Sequence, residues 1–156
     1  MYVNGDLIGV ELCAAAKNVI ALAAGGVDGL RLGDNAKAGV ISRGLREMAR
    51  LGSASGARPE TFSGLAGMGD LVVTCWSRHS RNRRAGELLV QGRDAEQALR
   101  EIGMTVEGIT VAPVVRALAR RLGIELPITE AVCEVLDGTA ALDLVSTLMA
   151  REPTTE

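Results

Sequence analysis

The sequence predicts an all-α fold in which several helices pack into one compact domain. Of the 156 residues, 47% are hydrophobic, which is enough to bury one sizeable core. Only three of these residues are aromatic, so the core must be built from Ala, Leu, Val, Ile and Met, which suit packed helices. Apolar residues also recur at helical spacing in most segments of the chain.

The first predicted helix covers residues 7–24, the most apolar segment of the chain. Its length approaches that of a membrane span. Glu11, Lys17 and Asn18 would be costly in lipid, whereas a helix buried inside a protein can direct such side chains into a site. We therefore expect a central core helix that ends at the glycine-rich residues 25–29.

The second predicted helix runs from about residue 36 to residue 51, after an N-cap at Asp34-Asn35. Residues 52–59 contain Gly, Ser and Pro, so the chain should turn there. The β-branched run within residues 67–75 fits a short strand as well as a helix, and periodicity does not decide between them.

The rest of the sequence has a helical pattern. After the polar residues 77–84, we expect one helix at 85–90 and another short one from Asp94. The remaining helices are expected at about 107–122, 127–137 and 139–150, and residues 151–156 should fray.

Charge and cysteine content narrow the class of function. The formal net charge of −2 gives no overall field that would attract nucleic acid or an anionic membrane. Cys13, Cys75 and Cys133 are odd in number and form no metal-ligand pattern, so we expect neither a disulfide framework nor a metal site, and a cytoplasmic location fits. Residues 1–6 lack a signal-peptide pattern and begin abruptly, as expected of a fragment of a longer protein.

Lys17 is the first candidate for catalysis. It lies inside the most apolar segment, and desolvation of a lysine favours the neutral amine, which is the better acid or base near neutral pH. The alternative is a structural lysine that faces solvent or pairs with Glu11 or with a distant carboxylate.

Asp70 is the second candidate. Gly67 and Gly69 precede it and permit close backbone approaches, so its carboxylate could orient a lysine or a substrate hydroxyl. The alternative is an aspartate that caps a turn or a helix. These glycines do not form a dinucleotide loop, because the full G-x-G-x-x-G fingerprint is missing from the chain.

Residues 77–84 concentrate four arginines in a chain that is otherwise slightly acidic. Arginine pairs bidentately with phosphate, and a following helix could add its N-terminal amides, so the segment indicates an anion site or, alternatively, a solvated basic turn. With only Trp76 nearby, it would be a poor platform for nucleic acid. His79 alone suggests a surface residue, and Glu107 suggests either a helix N-terminus or a partner for ribose hydroxyls.

Four motifs occur together: Gly-Val-Glu-Leu at 9–12 with Ala-Lys-Asn-Val-Ile-Ala at 16–21, Gly-Leu-Arg-Leu-Gly-Asp-Asn-Ala-Lys-Ala at 29–38, Gly-Asp-Leu at 69–71 with Thr-Cys at 74–75, and Ser-Arg-Asn-Arg at 80–83. In order and spacing they resemble the glycerol-3-phosphate dehydrogenases, most of all the bacterial NAD(P)-dependent type. The resemblance covers about residues 5–150.

This resemblance implies that residues 1–150 are the helical substrate-binding and catalytic domain, followed by a frayed tail at 151–156. A Rossmann domain would precede it in the whole enzyme, and this chain would be inactive without that domain. The reaction implied is the interconversion of sn-glycerol 3-phosphate and dihydroxyacetone phosphate with NAD or NADP, a step that serves phospholipid synthesis.

The resemblance also assigns roles to residues. Lys17 would be the catalytic acid and base, and Asp70 would hold the lysine and the substrate. The implied substrate contacts are Lys17, Asn18, Asp70, Thr74, Ser80, Arg81 and Asn82, and the implied cofactor contacts are Arg81, Thr105 and Glu107.

Two features depart from the family pattern: the Rossmann domain is missing, and the residues before Lys17 differ. The chain has Ala14-Ala15-Ala16 before Lys17, where relatives often have a glycine, and this change slightly tightens the packing.

The alternative function is a helical phosphate-binding or assembly module that catalyses nothing. Without a partner domain, an exposed apolar face predicts a homodimer or a larger species.

Overall fold

The computed structural model describes residues 3–142, and these residues form helices and no strand. The all-α prediction is confirmed. The elements are α1 (Leu7–Gly29), α2 (Asp34–Ala54), α3 (Pro59–Ser63), a π-helical turn (Leu65–Gly69), α4 (Asp70–Trp76), α5 (Arg81–Val90), α6 (Ala95–Ile102), α7 (Glu107–Leu122) and α8 (Pro127–Leu136).

Helix α1 lies at the centre of the domain, where α2, α4, α5 and α7 pack around it. Cys13, Val19 and Ala21 on this helix are fully buried. By length and apolar composition α1 could cross a membrane, but half of its most apolar window is buried against the other helices. Packing within the domain therefore accounts for its apolar sequence.

The predicted extent of 7–24 is too short, because α1 stays helical through the glycine-rich residues as far as Gly29. A Cβ atom at Gly25 would lie 1.8 Å from the carbonyl oxygen of Arg83, and one at Gly86 would lie 1.9 Å from that of Leu22. Helices α1 and α5 thus pack backbone against backbone. This close contact overrides the low helix propensity of glycine.

Several other boundaries differ from the predictions. Helix α2 begins at Asp34 with Gly33 as its N-cap, so Asp34 lies in the first turn, where a carboxylate interacts favourably with the helix dipole. The ambiguous residues 67–75 are helical. Helix α5 begins at Arg81 rather than at residue 85, because Ser80 caps it. The helix predicted at 139–150 and the tail at 151–156 lie largely or wholly outside the described residues.

Two buried carboxylates hold the periphery of the domain to its centre. Asp6 accepts hydrogen bonds from the Gly9 and Arg58 amides and from the Thr61 hydroxyl, which ties α1 to α3. Glu47 of α2 accepts three hydrogen bonds from the first residues of α8, Ile128 and Thr129. Burial raises the pKa of the Glu47 carboxyl, although these hydrogen bonds act in the opposite direction.

Candidate active site

Lys17 and Asp70 meet in the folded chain, although 53 residues separate them in sequence. The Lys17 ammonium donates a hydrogen bond to Oδ2 of Asp70. Lys17 lies in the middle of α1, and Asp70 is the first residue of α4. Their side chains are 19% and 42% exposed, so the pair is open to a small molecule that binds from outside.

The π-helical turn places Asp70 beside α1. At Gly67 the turn passes so close to α3 that a Cβ atom would lie 2.2 Å from the carbonyl oxygen of Phe62. One turn later on α4, the Thr74 hydroxyl lies 2.6 Å from the Asp70 carbonyl oxygen and 3.3 Å from its Oδ1. π-Helical turns are rare in proteins, and those that occur often lie at functional sites. The position therefore fits a candidate catalytic carboxylate.

The arginines of residues 77–84 differ in whether they have an ion-pair partner among the described residues. Arg81, the first residue of α5, is exposed and has no hydrogen-bond or ion-pair partner among residues 3–142. Arg83 instead pairs with Asp28 at 2.5 Å and with Glu87 at 2.7 Å. Ser80 caps the helix by accepting a hydrogen bond from the Arg83 amide. Arg81 is therefore the arginine at the start of α5 that is free to meet an anion.

The structure also brings together Asn18, Asn82 and Glu107, three residues that the sequence analysis singled out separately. Asn18 donates to the Glu107 carboxylate at 2.9 Å, and Asn82 donates to Asn18 at 2.9 Å. The starts of α5 and α7 therefore lie beside the turn of α1 that carries Lys17. Thr105 lies two residues before α7 and is exposed, without a hydrogen-bond partner in the described part of the chain.

Asp28 and Lys37 form a largely buried ion pair that supports the helices of the candidate site, and the sequence did not predict it. Lys37 is 4% exposed, pairs with Asp28 at 2.6 Å, and lies 4.8 Å from the centre of the Trp76 ring. Since Asp28 also holds Arg83, this cluster ties α1, α2 and α5 together. The one available signal was the motif at 29–38, which contains Lys37 but gives no hint of its partner.

The cysteines near the site are unsuited to nucleophilic chemistry. Burial raises the pKa of the Cys13 thiol to about 11 and that of Cys75 to about 12, so both stay protonated near neutral pH. Burial also raises the pKa of Cys133. His79 lies exposed in the turn before α5, and residues 3–142 contain no cluster of three or more His, Cys, Asp or Glu side chains that could hold a metal ion.

The arrangement suits a small anionic substrate with an oxygen atom that gains or loses a proton. Lys17 is an amine that can exchange that proton, with Asp70 beside it. The exposed Arg81 and the capped start of α5 offer a place for an anion such as phosphate.

Comparisons with known proteins agree with this chemistry. The family model described as NAD-dependent glycerol-3-phosphate dehydrogenase C-terminus matches residues 6–146. Proteins named glycerol-3-phosphate dehydrogenase, of the NAD(P)+ type, are 59% identical in Symbiobacterium thermophilum and 56% identical in Geobacillus thermodenitrificans, each over 152 residues. The alignments cover 97% of this chain and 44% of each relative.

Solved structures give the same result. Glycerol-3-phosphate dehydrogenase from Coxiella burnetii superposes on 96% of this chain and 46% of its own, with a TM-score of 0.93 and 47% identity. The yeast enzyme from Saccharomyces cerevisiae superposes with a TM-score of 0.82 and 31% identity, over 92% of this chain and 42% of its own. This chain spans less than half the length of these relatives, and it belongs to the NAD-dependent glycerol-3-phosphate dehydrogenase family, of which it matches the C-terminal part.

Proposed function

We propose that this chain supplies the substrate-binding and catalytic side chains of an NAD(P)-dependent glycerol-3-phosphate dehydrogenase. The reaction is the conversion of dihydroxyacetone phosphate, NAD(P)H and a proton into sn-glycerol 3-phosphate and NAD(P)+, and its reverse. The observation that carries the proposal is the open Lys17–Asp70 pair on the turn of α1 that also meets the start of α5. The names of the relatives support the choice of substrate.

Lys17 acts as the acid and base. In reduction its Nζ donates a proton to the carbonyl oxygen at C2 of dihydroxyacetone phosphate, and in oxidation it removes the proton from the resulting hydroxyl. The nicotinamide cofactor, when bound, supplies or accepts the hydride. Asp70 holds the ammonium group towards the substrate, and Thr74 adds a hydroxyl on the adjacent turn of α4.

The phosphate group binds at the start of α5. Arg81 is exposed and can pair bidentately with phosphate, and the N-terminal amides of a ten-residue helix favour an anion there. Ser80 retains its hydroxyl proton as a donor, because the contact with Arg83 uses only an oxygen lone pair. Asn82 keeps one amide N–H for a substrate oxygen beside these groups.

The residues of this chain that we propose to contact the cofactor would bind polar groups near its nicotinamide. They would not bind the whole dinucleotide. Glu107 is exposed and uses only Oε2 in its bond to Asn18, so Oε1 remains an acceptor for ribose or amide groups. Thr105 and Arg81 add an exposed hydroxyl and an exposed cation. The sequence has no G-x-G-x-x-G loop, so NAD or NADP would take its main contacts from the domain that precedes this one.

That N-terminal Rossmann domain is the partner we propose for this chain, in a cytoplasmic enzyme. Leu65 in the π-helical turn and Val73 and Trp76 on α4 are 78%, 64% and 48% exposed, and a covering domain would remove them from water. Without it, we expect the chain to form a homodimer or a larger species. Sedimentation across a range of concentrations checks this, and a concentration-independent monomer would contradict it.

Substitution of Lys17 tests the proposed function directly. The chain is joined to the N-terminal part of the Symbiobacterium thermophilum relative, and NADH oxidation with dihydroxyacetone phosphate is measured. Lys17→Ala should lower kcat by about 10²- to 10⁴-fold, the usual contribution of a general acid. Glu11→Ala, on the exposed surface of the same helix, should keep the parental rate. If Lys17→Ala retains most of the turnover, the acid and base assignment is wrong.

A further inference from the structure

A closed circuit of hydrogen bonds joins the starts of α5 and α7 to α1. Asn18 donates to Oε2 of Glu107, Asn82 donates to Oδ1 of Asn18, and the Gly108 amide donates to Oδ1 of Asn82 at 2.8 Å. Gly108 follows Glu107 directly, so the circuit returns to the same turn of α7. Asn82 also satisfies one of the amides that a helix leaves unpaired at its start.

Asn18 has no amide hydrogen left for a substrate. One of its two Nδ2 hydrogens goes to Glu107 and the other to the Ala14 carbonyl oxygen at 3.0 Å, while Oδ1 receives Asn82. The residue is 4% exposed. The opposite amide orientation would set Oδ1 against a carboxylate and a carbonyl oxygen, so the hydrogen bonds fix this one.

An asparagine is well suited to this position because it must donate and accept at once. An aspartate of the same shape would present an oxygen to the Glu107 carboxylate, and two like charges at this distance repel. It would still accept the hydrogen bond from Asn82. An apolar side chain would leave Glu107 without this donor and Asn82 without this acceptor.

We infer that Asn18 is a positioning residue that acts through Glu107 and Asn82, rather than a direct substrate ligand. Asn18 fixes two groups relative to Lys17, its neighbour on α1. One is the Glu107 carboxylate, which is proposed to contact the cofactor, and the other is the start of α5, which is proposed to bind the phosphate. This inference rests on the proposed function. It assigns to Asn18 an effect on cofactor binding, although Asn18 lies next to the residue that touches the substrate.

The test uses the same fused protein and measures NADH affinity by fluorescence titration, separately from the KM for dihydroxyacetone phosphate. Asn18→Asp should raise the Kd for NADH about tenfold, the size expected when a hydrogen bond to a charged group is lost. The KM for dihydroxyacetone phosphate should change less than about threefold, because the bond from Asn82 survives. Asn35→Asp, an exposed asparagine on α2, should change neither quantity.

A reciprocal exchange separates positioning from damage to the fold. Glu107→Gln restores a donor opposite the carboxylate that Asn18→Asp introduces, so the double variant Asn18→Asp/Glu107→Gln should bind NADH more tightly than the product of the two single effects predicts. Circular dichroism shows whether each variant is folded, and the double variant carries the test if Asn18→Asp alone unfolds. Any of four results would overturn the inference. For Asn18→Asp these are a rise in the KM for dihydroxyacetone phosphate alone, equal rises in this KM and in the Kd for NADH, or no change in either. For the double variant it is a Kd for NADH equal to that expected from strictly additive single effects.

The unmodified fusion distinguishes this failure from a failure of the proposed function. If it binds NADH and reduces dihydroxyacetone phosphate, the Asn18 variants decide the inference alone. If it does neither, the proposed function is wrong and the inference falls with it.

Discussion

Asp6 and Asp70 are both aspartates at the starts of helices, yet their surroundings give them different roles. Asp6 is 7% exposed, and three donors from α1 and α3 surround its carboxylate. The Asp70 side chain is 42% exposed and faces a lysine. A carboxylate that is buried and saturated holds the fold together, whereas an open one beside a lysine remains available to a ligand.

Replacement of Asp6 tests the structural role. Hydrogen bonds from Thr61, Arg58 and Gly9 hold the pKa of Asp6 below its ordinary value of 3.8. Its stabilising effect is therefore complete above that ordinary value and is lost as pH falls through the lower pKa of the folded state. Asp6→Asn should lower the Tm at about pH 7, and the difference from the parent should shrink as the solution is acidified below pH 3.8.

Asp94→Asn is the matched control for this change. Asp94 caps α6 in the same way but is exposed, and its side chain accepts from a single backbone amide. Thermal unfolding followed by circular dichroism should show a smaller loss for Asp94→Asn than for Asp6→Asn. Equal losses would mean that the contacts between Asp6 and α3 add nothing to helix capping.

The sequence could identify the candidate site residues but not most of their contacts. Lys17 and Asp70 stood out because a lysine in an apolar segment and an aspartate after glycines are unusual, and the family resemblance linked them. The contact between Asn18 and Glu107 joins residues 89 positions apart, and no periodicity connects them. Arg81 and Arg83 look alike in sequence, and only the positions of Asp28 and Glu87 in the fold distinguish the free arginine from the structural one.

Helices α1 and α5 explain both a wrong prediction and the geometry of the site. Glycines usually weaken or end a helix, so the sequence predicted a helix at residues 7–24 that ends within the glycine-rich residues 25–29. Here the glycines permit the approach of α5, and the approach keeps α1 helical to Gly29. Helix existence followed from local pattern, whereas this boundary depended on a neighbour that is distant in sequence.

Gly86→Ala tests whether this approach matters for stability. The added methyl group would meet the backbone of α1, which cannot move as a side chain can, so we expect a loss of about 1–3 kcal/mol in the free energy of unfolding. Gly39→Ala on α2 is the control, because nothing lies within 4 Å of its Cβ position. It should stabilise the protein by about 0.5–1 kcal/mol. Urea denaturation measures both, and stabilisation by Gly86→Ala would contradict the close packing.

At the scale of the whole domain, the proposed function assigns this chain one half of a two-substrate reaction. Among its described residues, Lys17 pairs with Asp70, and the start of α5 contacts the next residue of α1 through Asn82 and Asn18. The two residues proposed to meet only the cofactor are Glu107, the first residue of α7, and Thr105 just before it. The glycine-rich loop that binds a dinucleotide pyrophosphate does not occur in the sequence. The proposed reaction therefore requires a second domain that places the hydride carrier opposite Lys17.

Reconstitution tests this division of labour. The chain alone should oxidise no NADH with dihydroxyacetone phosphate, because a few contacts near the nicotinamide cannot hold the cofactor in position. Fusion to the N-terminal part of the Symbiobacterium thermophilum relative should restore turnover, since the two chains are 59% identical over the shared region.

Activity from the chain alone would reveal a nucleotide site within these 156 residues. Inactivity of a folded fusion would instead favour a helical phosphate-binding module, and binding of inorganic phosphate that is lost in Arg81→Ala would then identify its site.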